Sequence, residues 1–303
     1  MKQCARGATW PDFKWIGLLS ALLILVFRVP LAIFAPVISP DSQSYLTVAR
    51  NIFENGCVSL SLPESGMCIP HWGGNHLPGY PAFAALFGAN PELVLIAQNL
   101  FFALAGVYLI YSAYQYLQSQ FIAICIGIVL AISPLQFGWG RFVLPDMLSN
   151  AVLLFAFAEI LQSIRFGKLR WFSLGAAVSI AVFLRYDGIL LTIPVAVAGL
   201  YIHGFKAGIL RGMLVAAVIA VPLAGWWARS ISADLGYFPQ QRFMSDGSYR
   251  PAGYLAWVRS WSGNLYEAAN AGYPVANKRY SAISVAENAW NGDHERETVL
   301  SLL

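Results

Sequence analysis

Long apolar runs separated by short polar connections make up most of this chain. A membrane-crossing helix needs about 20 mostly apolar residues, because each adds about 1.5 Å against a hydrocarbon core of about 30 Å. Seven runs are candidates, approximately 16–38, 93–117, 121–139, 143–164, 171–184, 189–203 and 212–228. The fifth and sixth are short, and the break between them reads Arg185, Tyr186, Asp187, Gly188. They form either two crossings or one re-entrant hairpin. Directly after the first run the period changes. Tyr45, Val48, Ala49, Ile52 and Phe53 recur at helical spacing, Gln43, Thr47, Arg50 and Glu54 take the other side, and Asn55 with Gly56 supplies a stop. This pattern predicts an amphipathic helix on the membrane surface, with Asp41 at the water boundary.

Composition agrees with an all-α polytopic membrane protein of about seven transmembrane helices. Of 303 residues, 58% are apolar and 11% charged, with a mean hydropathy of +0.59. A soluble domain carries about 25% charged residues, so a soluble fold is excluded, as is intrinsic disorder. A net charge of +4, dispersed along the chain, points to no nucleic-acid partner. Its placement sets topology instead. Lys2, Arg6 and Lys14 precede the first run, Arg165, Lys168 and Arg170 follow the fourth, and Lys206 and Arg211 precede the seventh. Cytoplasmic loops collect basic residues, so all three sets put the N-terminus in the cytoplasm. Segment 39–92 and the chain from Arg229 onward then lie outside it. The first run is too long for the apolar core of a secretory signal and reads as a retained anchor.

The first external loop holds most of the candidate chemistry. Taken alone, Asp41 reads either as a residue that caps a helix N-terminus or as a reactive acid. His71 and His76 stand in a turn-rich stretch, where two histidines five apart serve as metal ligands, as donors to phosphate, or simply as solvated loop residues. Cys57 and Cys68 are the one pair that this topology lets meet outside the cytoplasm, since Cys4 is cytoplasmic and Cys125 lies within the third run. A structural disulfide between them is expected. Arg28 sits in mid-membrane, where a charge must face protein or water. A second external acid, Asp146, follows Pro145 at the start of the fourth run, in the short loop containing Arg141. Asp187 either joins the two acids or only neutralises its neighbour Arg185. No phosphate-cradling glycine loop, HExxH, CxxC, GxSxG or DxD motif is present, so nucleotide-driven chemistry has no support.

Arg28, then Pro40, Asp41, Tyr45, Ala49 and Gly56, then the loop His76, Leu77, Pro78, Gly79, Tyr80, Pro81 together resemble the integral-membrane C-type glycosyltransferases related to dolichyl-phosphate-mannose protein mannosyltransferases and the bacterial lipid A aminoarabinose transferase. The stretch from Pro222 through Trp226, Trp227 and Arg229 resembles the pattern that closes the same module, with Ser230 where asparagine is usual. Asp41 is followed by Ser42, not by the second acid of the protein mannosyltransferases.

The resemblance covers approximately residues 16–240. It implies a seven-helix catalytic module over 1–228, with Asp41 as the catalytic aspartate and Asp146 assisting, followed by an extracytoplasmic aromatic-rich segment over 229–303. The implied reaction moves a sugar from a polyprenyl-phosphate donor to an extracytoplasmic lipid, glycan or protein, with inversion. Asp41 would accept the proton of the acceptor hydroxyl. Arg141, Arg229, His71, His76 or a divalent cation (Mg²⁺ or Mn²⁺) held by Asp41 and Asp146 would balance the donor phosphate. The setting is a lipid bilayer, a bacterial inner membrane. The final residues form a helical pattern without a stop signal, so a truncated chain is expected. The competing readings are a transporter or flippase for lipid-linked saccharides using Arg28, Arg185 and Asp187, and an inactive partial homologue.

Overall fold

The computed structural model describes residues 36–59, 77–133 and 138–232, together with positions 22, 26, 30 and 34. The chain divides into two units, Met1–Ala233 and Asp234–Leu303, and the second lies wholly outside the described residues, as do Arg28, Cys68, His71 and His76.

Among the described residues the fold is all-α. Seven helices follow one another: α1 (Pro40–Asn55), α2 (Gly79–Ala85), α3 (Pro91–Leu117), α4 (Gln120–Ile132), α5 (Pro145–Phe166), α6 (Trp171–Leu184) and α7 (Thr192–Ser232), with a 3-10 helix (Tyr186–Leu191) between α6 and α7. Three segments are long and apolar enough to cross a membrane: Pro91–Leu117, Pro145–Phe166 and Asp187–Arg229. Gln120–Ile132 and Trp171–Leu184 are shorter apolar helices. Over half of the most apolar window of α3 and of α5 is buried, against 17% for the last segment. The centre is therefore the α3–α5 pair, with α6 and α7 layered on α5.

Local chemistry explains the boundaries. Ser39 caps α1: its hydroxyl accepts from the Ser42 amide, the Ser42 hydroxyl accepts in turn from the Ser39 amide, and Pro40 takes the first helical position. Gly56 ends the helix in the left-handed conformation. Asn90 caps α3 by accepting from the amides of Glu92 and Leu93. In the run expected over 121–139, α4 ends at Ile132 with Ser133 as its C-cap, positions 134–137 lie outside the described residues, and positions 138 and 139 are again helical.

Two further expectations change. Most of the apolar stripe of α1 packs on protein: Tyr45, Val48 and Ala49 are buried, and Tyr45 and Ala49 share a core with Tyr80, Ala84 and Ala85 of α2, while Phe53, 63% exposed, is left for the membrane surface. The last two runs are one apolar stretch broken at Gly204, whose φ of 69° is open to glycine and costly for other residues. Helix resumes at once rather than at residue 212. Beyond the break the chain doubles back, since a Cβ on Gly208 would stand 3.1 Å from the Gly199 carbonyl oxygen. Nine residues of unbroken helix would separate those positions by about 13 Å.

At the far end of α5 a polar cluster ties three helices. Glu159, 4% exposed, accepts from Tyr108 of α3, Ser173 of α6 and Arg170, the last at 2.9 Å. His203 accepts from the Leu169 amide at 3.2 Å, which holds the Gly204 break to this same end.

Candidate functional site

The opposite end of the bundle gathers the acids. Val37 and Phe142 form an isolated parallel β-bridge, with the Val37 amide donating to the Arg141 carbonyl at 2.9 Å. This ties the segment entering α1 to the segment entering α5. Each helix opens on proline followed by aspartate, Pro40–Asp41 and Pro145–Asp146. Of the helix-terminus reading of Asp41, the side-chain cap falls to Ser39, while Asp41 stands exposed in the first turn of α1, where a carboxylate complements the helix dipole.

Asp146 is joined by Arg185, the residue that ends α6. One guanidinium nitrogen, Nη1, donates to Asp146, while Nε lies 3.0 Å from Asp187 Oδ1 and Nη2 lies 3.2 Å from Asp187 Oδ2. The sequence left open whether Asp187 joins the acids or neutralises Arg185. It does both, because one planar fork serves two carboxylates. The paired carboxylates hold the Arg185 guanidinium above its ordinary range, its hydrogen bond to Asp187 being the main cause. Arg185 is the member of the cluster that sequence reasoning undervalued. Its one signal was a charged break between two short apolar runs.

Tyr45 reports that these groups are close. Burial raises its phenol well above the ordinary value, Asp41 and Asp146 add to the rise, and Arg185 opposes it. Its ring meets Tyr80 edge-on, with centroids 5.1 Å apart. Tyr80 is fully buried and raised by the same burial, then by Tyr45 and Asp146. The Tyr80 hydroxyl donates to Gln98 Oε1 at 2.9 Å, and Gln98 Nε2 donates to the Phe142 carbonyl at 2.8 Å. Beside it, Asn99 Nδ2 donates to the carbonyls of Gly140, at 2.9 Å, and of Leu95, at 2.8 Å.

A cavity of about 480 Å³ opens between α5 and the start of α7. Asp146, Arg185 and Asp187 line its polar end, Ser149 and Asn150 follow, and Leu153, Phe157, Leu190 and Pro194 line the remainder. Positions 146, 149, 150, 153 and 157 share one face of α5, so the polar-to-apolar gradient runs down the helix for about 16 Å. Such a cavity suits a molecule with a polar head and an apolar tail, and its volume lies within the range of about 300–1,000 Å³ usual for small-molecule sites.

The other expected residues fall as follows. Arg141 belongs to the bridge and is half-buried. Arg229, near the end of α7, lies 4.7 Å from the Trp226 ring centroid and donates from Nη2 to the Val58 carbonyl at 3.2 Å. That contact brings the end of α7 to the loop after α1. Cys57 is buried and disulfide-bonded, while Cys125 is free. Among the described residues no three histidine, cysteine or carboxylate side chains converge on a metal position. Arg185 engages one oxygen of Asp146, Oδ1.

Comparison of the chain with protein-family models, with curated proteins and with solved structures returned no match.

Proposed function

We propose that the protein is a membrane glycosyltransferase that moves a sugar from a polyprenyl-phosphate donor to an extracytoplasmic acceptor with inversion. The observation that carries this reading is the cavity whose polar end holds Asp146, Arg185 and Asp187 and whose wall turns apolar along α5. A lipid phosphate has that same order of chemistry. Its tail follows Leu153 and Phe157 toward the bilayer interior, and its head meets Arg185.

Asp41 is the base. It is exposed and takes no part in the α1 cap, whereas Asp146 is committed to Arg185. The acceptor hydroxyl gives its proton to Asp41, its oxygen bonds to the anomeric carbon, and the bond from that carbon to the phosphate oxygen breaks with its electron pair. Phosphate is a good leaving group, so positive charge is what the site must provide. Arg185 supplies it from the position Asp146 and Asp187 impose, with Arg141, Arg229 and the histidines as further candidates. A divalent cation, if one is used, would be held by Asp41 and the Asp146 oxygen that Arg185 leaves free, and would supply further positive charge to the phosphate.

The reading includes seven crossings, of which the three span-length segments Pro91–Leu117, Pro145–Phe166 and Asp187–Arg229 are its support. Arg165, Lys168 and Arg170 lie at the end of α5 opposite Asp146, a helix of 22 residues away, or about 33 Å. Lys206 follows the Gly204 break held to that end. The positive-inside rule then places the basic end and the N-terminus in the cytoplasm and the acids outside, in a bacterial inner membrane.

The test is transfer of a labelled sugar from polyprenyl phosphate in membranes containing the full chain, comparing wild type with Asp41→Asn. The variant is expected to lose transfer while still binding donor. Full transfer by Asp41→Asn, or reporter fusions that place residue 41 in the cytoplasm, would overturn the reading.

A further inference from the structure

We propose that the adjacent buried amides Gln98 and Asn99 of α3, with Tyr80, are positioning residues that fix where Asp146 stands relative to Asp41. The inference rests on the reading of those two aspartates as the reacting acids, and none of the three residues touches the cavity.

The loop that delivers Asp146 contains three consecutive carbonyls, each bound by a different donor. Asn99 holds Gly140, the Val37 amide holds Arg141, and Gln98 holds Phe142. Two of the donors come from the central helix and the third from the segment that delivers Asp41. Both amide side chains are fully buried, in a helix otherwise apolar enough to cross a membrane. A buried amide in such surroundings is costly unless bonded, so each is held to its partner. Gln98 is the link that spans both loops. Its Nε2 fixes the Asp146 side, and its Oε1 receives Tyr80, whose ring sits edge-on to Tyr45 on the helix that begins with Asp41. Loss of the Gln98 contacts frees the Phe142 carbonyl and the Tyr80 hydroxyl together, so the two acids lose their common reference. Chemistry that depends on near-attack placement falls by about 100-fold for a misplacement of about 1 Å.

Gln98→Met keeps the side-chain volume and removes both hydrogen bonds. Tyr80→Phe is milder, keeping the ring against Tyr45 and removing only the donor to Gln98. Gln162→Met serves as the control, since Gln162 is a buried amide bonded to Ser112 at 3.1 Å toward the opposite end. Two measurements are made on the full chain in detergent: sugar transfer, resolved into kcat and KM, and amide hydrogen exchange followed by mass spectrometry. Gln98→Met is expected to lower kcat 10- to 100-fold with KM within about twofold, and Tyr80→Phe to lower it several-fold. Exchange is expected to quicken over 36–44 and 140–148 while the rest of α5 keeps wild-type protection, and Gln162→Met leaves these segments and kcat unchanged. Unchanged exchange in Gln98→Met and Tyr80→Phe overturns the inference, whether or not the wild type transfers sugar. So does a kcat held at the wild-type value despite quickened exchange, or an equal fall in Gln162→Met. If the wild type transfers nothing, the functional reading fails separately, and quickened exchange at both segments still supports the shared anchoring of the two loops.

Discussion

Arg185 ends one helix and Asp146 begins another, 39 positions earlier in the chain, and their side chains form an ion pair at the polar end of the cavity. Asp187 holds the same guanidinium from its other side. The pair fixes a cation at the place where a lipid-linked phosphate would sit. Arg185→Gln is expected to raise the donor KM at least tenfold, because it removes the fork and leaves two carboxylates facing an anion. Arg185→Lys is expected to restore part of the loss, since a point charge cannot serve both acids bidentately. Steady-state kinetics with varied donor concentration checks both.

Gly188 lets the 3-10 turn lie against the end of α6. A Cβ there would stand 2.4 Å from the backbone carbon of Ala181, and backbone cannot swing aside. Gly188→Ala is expected to destabilise the protein by about 1–3 kcal/mol through overpacking and to lower donor affinity by displacing Arg185. A thermal melt in detergent alongside donor binding tests this. An unshifted melting temperature contradicts the close approach.

Tyr45 gives a pH dependence whose sign is fixed. Its folded-state pKa lies above the ordinary value of 10.0, mainly through burial and then through Asp41 and Asp146. The stability contributed by the neutral phenol is present in full below pH 10 and is lost as pH rises from there toward the folded value. Titration at 295 nm, read as the difference between wild type and Tyr45→Phe, is expected to show no ionisation of Tyr45 at pH 10. Asp41→Asn should bring its titration down, and Arg185→Gln should push it further up.

Glu159 is a buried carboxylate served by three donors at the end of the bundle away from the cavity. Arg170→Gln is expected to cost about 2 kcal/mol by leaving that carboxylate without its counter-charge. Adding Glu159→Gln to that variant should recover much of the loss, because the neutral amide no longer needs a cation. Unfolding measurements on the two single variants and the double variant decide it. Transfer should continue below the melting temperature, since the cluster lies at the end of α5 away from Asp146.

The parts of this arrangement that sequence reveals are those written locally. Ser39 with Pro40 marks the start of α1 and Gly56 its end, each at the boundary itself, and Pro145–Asp146 marks the start of α5 in the same way. α4 ends at Ile132, a stop that the hydropathy of 121–139 hides when averaged. Long-range pairing is less visible. Arg185 has an acid two positions away, so its bond to a residue 39 positions earlier has no local trace. Gln98 and Asn99 look like incidental polar residues in an apolar run until the loop at 140–142 is laid against them. The stripe on α1 suits lipid and protein equally, and the presence of α2 decides between them.

The bridge between Val37 and Phe142 also acts as a ruler. Asp41 lies four residues beyond Val37, and Asp146 lies four residues beyond Phe142, along segments that run in the same direction. Equal lengths of chain therefore separate the two acids from one shared origin. Deleting Ile38 or Val143 shortens one arm alone, by up to about 3.3 Å where the chain is extended, whereas an equal deletion in both arms keeps the two lengths matched.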